Sequence, residues 1–125
     1  MPGVEDCLTE LMDIPGVLDA LVVDHATGTA VAVAGSGQHL DAERSAAALN
    51  EALRATLDGL AEAMTTGTLR MHDMIVTTDR GHHLLKPVTT VLDGEMVIYL
   101  RIDVERSNLA LARHRLQAIS ARLTT

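Results

Sequence analysis

Six histidines and one cysteine are the residues of this chain best suited to hold a metal ion or move a proton. A zinc site needs three or four such ligands at short, regular spacing. His82 and His83 are adjacent in what reads as a strand, so they point to opposite faces and cannot easily share an ion. His25, His39, His72 and His114 show no ligand spacing, and Cys7 has no partner nearby. Solvated or hydrogen-bonded histidines are the ordinary reading. Asp19, Asp24 and Asp103 are candidates for an acid–base pair, but nothing marks a raised pKa, and exposed strand-end charges are expected. Gly35-Ser36-Gly37 has the glycines of a phosphate loop, yet Gln38-His39 follows where a Walker loop has its Lys-Ser/Thr pair. No G-x-S-x-G nucleophile elbow occurs. The sequence predicts no catalytic residue, no metal ligand and no cofactor. Its chemistry is expected to be that of binding.

The element that could position a binding surface is a long helix predicted over Leu40 to Thr66. Leu49, Leu53, Leu57, Leu60 and Met64 step by threes and fours and form one stripe of large residues. Ala48, Ala52, Ala55, Gly59 and Ala63 step in the same way, about a third of a turn around at ~100° per residue. Arg44, Glu51, Arg54, Asp58 and Glu62 fill the remaining arc. One apolar stripe serves a core. A second, smooth stripe lets another backbone approach, so it predicts self-association. Alanine is also the best helix former and could be filler, but Gly59 costs ~1 kcal/mol in a helix interior and argues for close packing. Asp41 is a predicted N-cap and Gly67 a predicted C-cap glycine. Arg54 and Asp58, four apart, could form a surface pair worth about 0.3 kcal/mol.

At 125 residues and 47% hydrophobic, the chain reads as one globular domain. Tyr99 is its one aromatic residue, so the core must be aliphatic. A formal charge of −7 argues against nucleic acid and against an anionic membrane surface. No apolar run approaches the ~20 residues that span a bilayer. The acidic N-terminus lacks the features of a signal peptide, and a lone cysteine fits a reducing compartment. The expected location is the cytoplasm.

The remaining elements follow from periodicity and turn chemistry. Val4 to Asp13 is a short helix, broken by Ile14-Pro15-Gly16-Val17. Leu18 to Asp24 is an apolar strand, expected to be central and covered on both faces, and Ala26-Thr27-Gly28 turns it into a second strand, Thr29 to Ala34. After the long helix come strands at Leu69 to Thr78, His82 to Thr90 and Glu95 to Val104, with turns at Asp79-Arg80-Gly81 and Asp93-Gly94. Pro87 must sit where its missing N–H does no harm. In the last strand Met96, Ile98, Leu100, Ile102 and Val104 are expected on one face. Ser107 or Asn108 caps a final helix whose stripe is Leu109, Ala112, Leu116, Ile119 and Leu123. The fold class is α+β, in the order α-β-β-α-β-β-β-α: a five-stranded, mainly antiparallel sheet between helices.

This order resembles the roadblock family, the dynein light-chain and MglB-like domains. The strings that carry the resemblance are Ile14-Pro15-Gly16-Val17, Ala20-Leu21-Val22-Val23-Asp24, Thr77-Thr78-Asp79-Arg80-Gly81, Leu84-Leu85-Lys86-Pro87 and Ser107-Asn108-Leu109-Ala110-Leu111. No single string is specific; their order and spacing together are. The resemblance implies a homodimer in which the long helices pair and the third strands join. That places Ala48, Ala52, Ala55, Gly59, Ala63, Arg70, His72 and Met74 at the dimer interface. It also implies binding of a small Ras-like GTPase, with Glu51, Arg54 and Asp58 as candidate contacts at the rim of the paired helices. Similar single-domain proteins of high-GC bacteria are encoded in conservon operons beside a GTPase and a sensor-kinase-like protein, a further implied partner. The alternative is a sensory module of similar topology that encloses a small ligand. One aromatic residue is little for such a pocket.

Overall fold

The computed structural model describes residues 3–35, 41–90 and 94–123. The expected order of elements is present: α1 Val4–Met12, β1 Val17–Asp24, β2 Thr29–Gly35, α2 Ala42–Ala63, β3 Met74–Thr78, β4 Gly81–Thr90, β5 Gly94–Ile102 and α3 Leu109–Leu123. Ser36 and Gly37 of the expected loop, Leu40 at the expected start of the long helix, and Asp93 of the expected last turn lie outside the described residues.

The five strands form one antiparallel sheet in the order β2-β1-β5-β4-β3. β1 is nearly all apolar because it is central, with β2 on one side and β5 on the other. Successive strand residues point to opposite faces, so β5 feeds two cores. Met96, Ile98, Leu100 and Ile102 pack with Leu8 and Leu11 of α1 and Leu116 and Ile119 of α3. Val97 and Tyr99 pack with Leu21, Val23, Leu85 and, from α2, Ala46 and Leu53. Val104, expected on the buried face, lies past the strand end and is exposed. Asn108 caps α3, its Oδ1 accepting from the Leu111 N–H at 3.1 Å.

Gly16 shows why one glycine of the Pro15-Gly16 break is needed. Its φ is +89°, and a Cβ there would lie 2.6 Å from the Ser107 Cβ. The same residue's carbonyl accepts from the Asp103 N–H at 2.8 Å, tying the entry of β1 to the exit of β5.

Two boundaries differ most from the sequence reading. The third strand starts at Met74, not Leu69. The segment before it is held away from the ladder by side chains: Lys86 Nζ donates to the His72 carbonyl at 2.9 Å, and Asp73 pairs with Arg113 of α3 at 2.8 Å. The β3 ladder stops at Met74↔Leu85, while Pro87 keeps its place opposite Val97 of β5. The missing N–H therefore falls beyond the end of β3. The second difference is α2, which ends at Ala63. Met64 is already extended, with ψ 134°, and Gly67, at φ +82°, turns the chain three residues later rather than capping the helix. Thr65 and Thr66, both β-branched, are poor continuations of a helix.

Candidate self-association and partner surface

Asp41 starts α2 as expected. Its carboxylate accepts from the Arg44 N–H at 3.2 Å, satisfying one of the free donors of the first turn. The helix then lies on the sheet through Ala46, Asn50 and Leu53, its buried residues. Leu49 and Leu57 are half-buried. From Asp58 onward every residue of the helix is exposed. The leucine stripe therefore begins in the core and runs out into solvent, with Leu60 46% and Met64 53% exposed. Periodicity alone predicts a continuous buried stripe. The sheet simply does not extend beneath the last turns.

Ala48, Ala52, Ala55, Gly59 and Ala63 are all exposed. A Cβ added at Gly59 would meet nothing within 4 Å, so nothing inside this chain requires a glycine there. β3 is an edge strand, paired on one side only, and its Val76 is 47% exposed. Its small size is one form of edge protection, but it carries no charged residue or proline.

Arg70 and His72 are not on this strand. They line a cavity with Lys86 and with Gln117 and Ser120 of α3, on the face opposite α2. Met74 is half-buried and packs against the α2-side core. Thus the structure leaves the helix stripe exposed and Met74 on an edge strand, and places Arg70 and His72 just before that strand, at the cavity.

Glu51 and Asp58 are exposed on α2. Arg54 is not paired with Asp58. Its guanidinium reaches the carbonyl of His25 at 3.1 Å, in the turn between β1 and β2. Asn50 holds the same turn: Nδ2 donates to the His25 carbonyl at 2.9 Å, and Oδ1 lies 2.6 Å from His25 Nδ1. A carbonyl fixed by two donors outcompetes a flexible, solvated carboxylate four residues away.

The expectation of exposed strand-end aspartates fails at Asp19, which is 1% exposed. Its carboxylate meets the Arg101 guanidinium at 2.6 Å. A buried charge needs such a partner. The signal was present in the sequence as an acid and a base set inside apolar runs, away from the strand-end charges Asp24 and Glu95. Asp24 holds the Ala26 N–H at 2.9 Å, and Asp103 accepts from the N–H groups of Glu105 and Arg106. Those backbone donors, with the Arg106 side chain, hold the Asp103 carboxyl below its ordinary value. His82 and His83 do point to opposite faces. His82 Nδ1 lies 2.8 Å from Thr77 Oγ1; His83 bridges Thr78 Oγ1 and the Tyr99 hydroxyl, each at 2.8 Å. Among the described residues no three His, Cys, Asp or Glu side chains converge as a metal site. No helix among them is long and apolar enough to cross a membrane.

No protein-family model and no curated protein matches this chain. Solved structures do. Myxococcus xanthus MglB is 19% identical over 94% of this chain and 85% of its own, with a TM-score of 0.73. An MglB with tetrameric arrangement is 16% identical over 99% and 90%, with a TM-score of 0.78. A Roadblock/LC7 domain from Streptomyces avermitilis is 14% identical over 91% and 88%, with a TM-score of 0.63. The chain has the roadblock, MglB-like fold.

Proposed function

We propose that this chain is a homodimeric adaptor without catalytic activity of its own that binds a small Ras-like GTPase in a cytoplasmic signalling system. One observation carries the reading: a 22-residue helix leaves its small-residue stripe and the end of its leucine stripe uncovered. Burial of Leu60 and Met64 alone would stabilise an assembly by about 1–3 kcal/mol at ~25 cal/mol per Å². The dimer pairs Ala48, Ala52, Ala55, Gly59 and Ala63 with their copies and joins the β3 edges, with Met74 in the seam and Arg70 and His72 at its margin. The fold supports this reading, and the tetrameric arrangement of the similar MglB is a precedent for self-association. The GTPase rests on the sequence resemblance, and so does the company of a sensor-kinase-like protein. Glu51 and Asp58 are free to meet a partner; Arg54 meets it only at the expense of the His25 carbonyl.

The test is gel filtration of the purified chain with a small Ras-like GTPase from the same genome, loaded with GDP or with a GTP analogue. Co-elution in at least one state is expected. Glu51→Arg and Asp58→Arg should weaken it by about 1 kcal/mol or more with the dimer intact. Arg54 is a poor choice for this purpose, because its loss also loosens a turn. Separate elution in both nucleotide states overturns the adaptor reading.

A further inference from the structure

We propose that the cavity between the Arg70–His72 segment, β4 and α3 binds a small oxyanion, the phosphoryl or carboxylate group of a ligand. The cavity holds about 480 Å³ and is lined by Arg70, His72, Lys86, Thr89, Gln117 and Ser120, among others. It lies on the face opposite α2, so the inference does not depend on the adaptor reading.

The charge distribution there runs against that of the chain. The protein carries a formal charge of −7, and Lys86 is its one lysine. β4 turns Lys86 to the α3 side of the sheet, between Leu84 and Val88, both of which face the core under α1 and α3. One N–H of its ammonium is spent on the His72 carbonyl. The nearby carboxylate, Asp73, is already occupied by Arg113 through two hydrogen bonds of 2.8 and 3.2 Å. Among the described residues neither Lys86 nor Arg70 has a carboxylate within ion-pair distance. Two cations therefore line one cavity, and neither is held in an ion pair. Partial burial holds Lys86 below its ordinary value, opposed by the Asp73 carboxylate and aided by Arg113, so the cost of removing the ammonium from water is not fully offset within the chain. An oxyanion in the cavity offsets that cost and takes up the unspent N–H groups of both cations. The surrounding acidity favours a single small anion over an extended polyanion, which the rest of the surface would repel.

The experiment is a ¹H–¹⁵N titration of the full chain with inorganic phosphate and, separately, with acetate, against sodium chloride at matched ionic strength. A saturable shift of the Arg70, His72, Lys86, Gln117 and Ser120 amides by either anion is expected, and the tighter of the two names the ligand's group. Arg70→Gln, an exposed position, should weaken binding severalfold, and Lys86→Met by about tenfold. Arg44→Gln, on α2, should leave it unchanged. Shifts that do not saturate, or that persist undiminished in Arg70→Gln, overturn the proposal whether or not Lys86→Met folds.

Discussion

Asn50 and His25 grip each other at both ends: the Asn50 amide donates to the His25 carbonyl at 2.9 Å, and its oxygen lies 2.6 Å from His25 Nδ1. Asn50 is 3% exposed, a polar residue in the buried row of a helix. It docks α2 on the β1–β2 turn where an apolar residue would leave the carbonyl dependent on Arg54 alone. Asn50→Ala removes both bonds and should destabilise the protein by about 2 kcal/mol, at about 1 kcal/mol per bond. Urea unfolding checks this. An unchanged midpoint would show that water replaces the side chain at no cost.

His83 gives stability a pH dependence. Burial, followed by the charges of Arg101 and His82, holds it below its ordinary value of 6.5. The unfolded chain then takes up this proton at a higher pH than the folded one, so protonation favours unfolding. This contribution is fully present above pH 6.5 and is lost as pH falls through that value toward the folded-state value. The urea midpoint should therefore drop between about pH 7.5 and 5. In His83→Gln that part of the drop should disappear; an identical profile would assign the dependence to other groups.

The proposed dimer makes opposite demands on two neighbouring positions. Ala55 is exposed, so Ala55→Glu should leave the monomer folded and abolish association, read by sedimentation and far-ultraviolet circular dichroism. Gly59→Ala meets nothing within the chain and should stabilise an isolated helix by about 1 kcal/mol. If the backbones cross there, the same methyl group weakens the dimer. A wild-type chain that sediments as a monomer at tens of micromolar, about where a moderate interface is populated, contradicts the pairing.

The faces of the elements were legible in the sequence, and their extents were not. Alternation in β5 and the 3.6-residue step of α2 identify which residues share a side, because both are local geometry. How many turns of α2 find sheet beneath them is a tertiary matter, and Leu57, Leu60 and Met64 look alike in sequence. The late start of β3 goes with Lys86 and Arg113, which reach His72 and Asp73 from elements 14 and 40 residues away. The candidate surface was accordingly half readable. The small stripe of α2 stands where periodicity puts it, whereas Arg54 and the His72 carbonyl are engaged by partners that only folding brings near, and Arg70 lines a cavity that only folding forms.

The Asp19–Arg101 contact joins residues 82 apart in the chain, at the junction of β1 with β5. Everything on either side of that junction is a hairpin or a meander between sequence neighbours, which forms fast. The junction itself is the long loop to close. On the ribosome, β1 emerges early and waits, apolar on both faces, until β5 has been made some seventy residues later. During that wait its edge is open to any other strand. The single charge in its middle is then a safeguard: an aspartate is costly to bury against a strand that lacks Arg101. By this argument the contact discriminates between partner strands as well as fastening the finished junction.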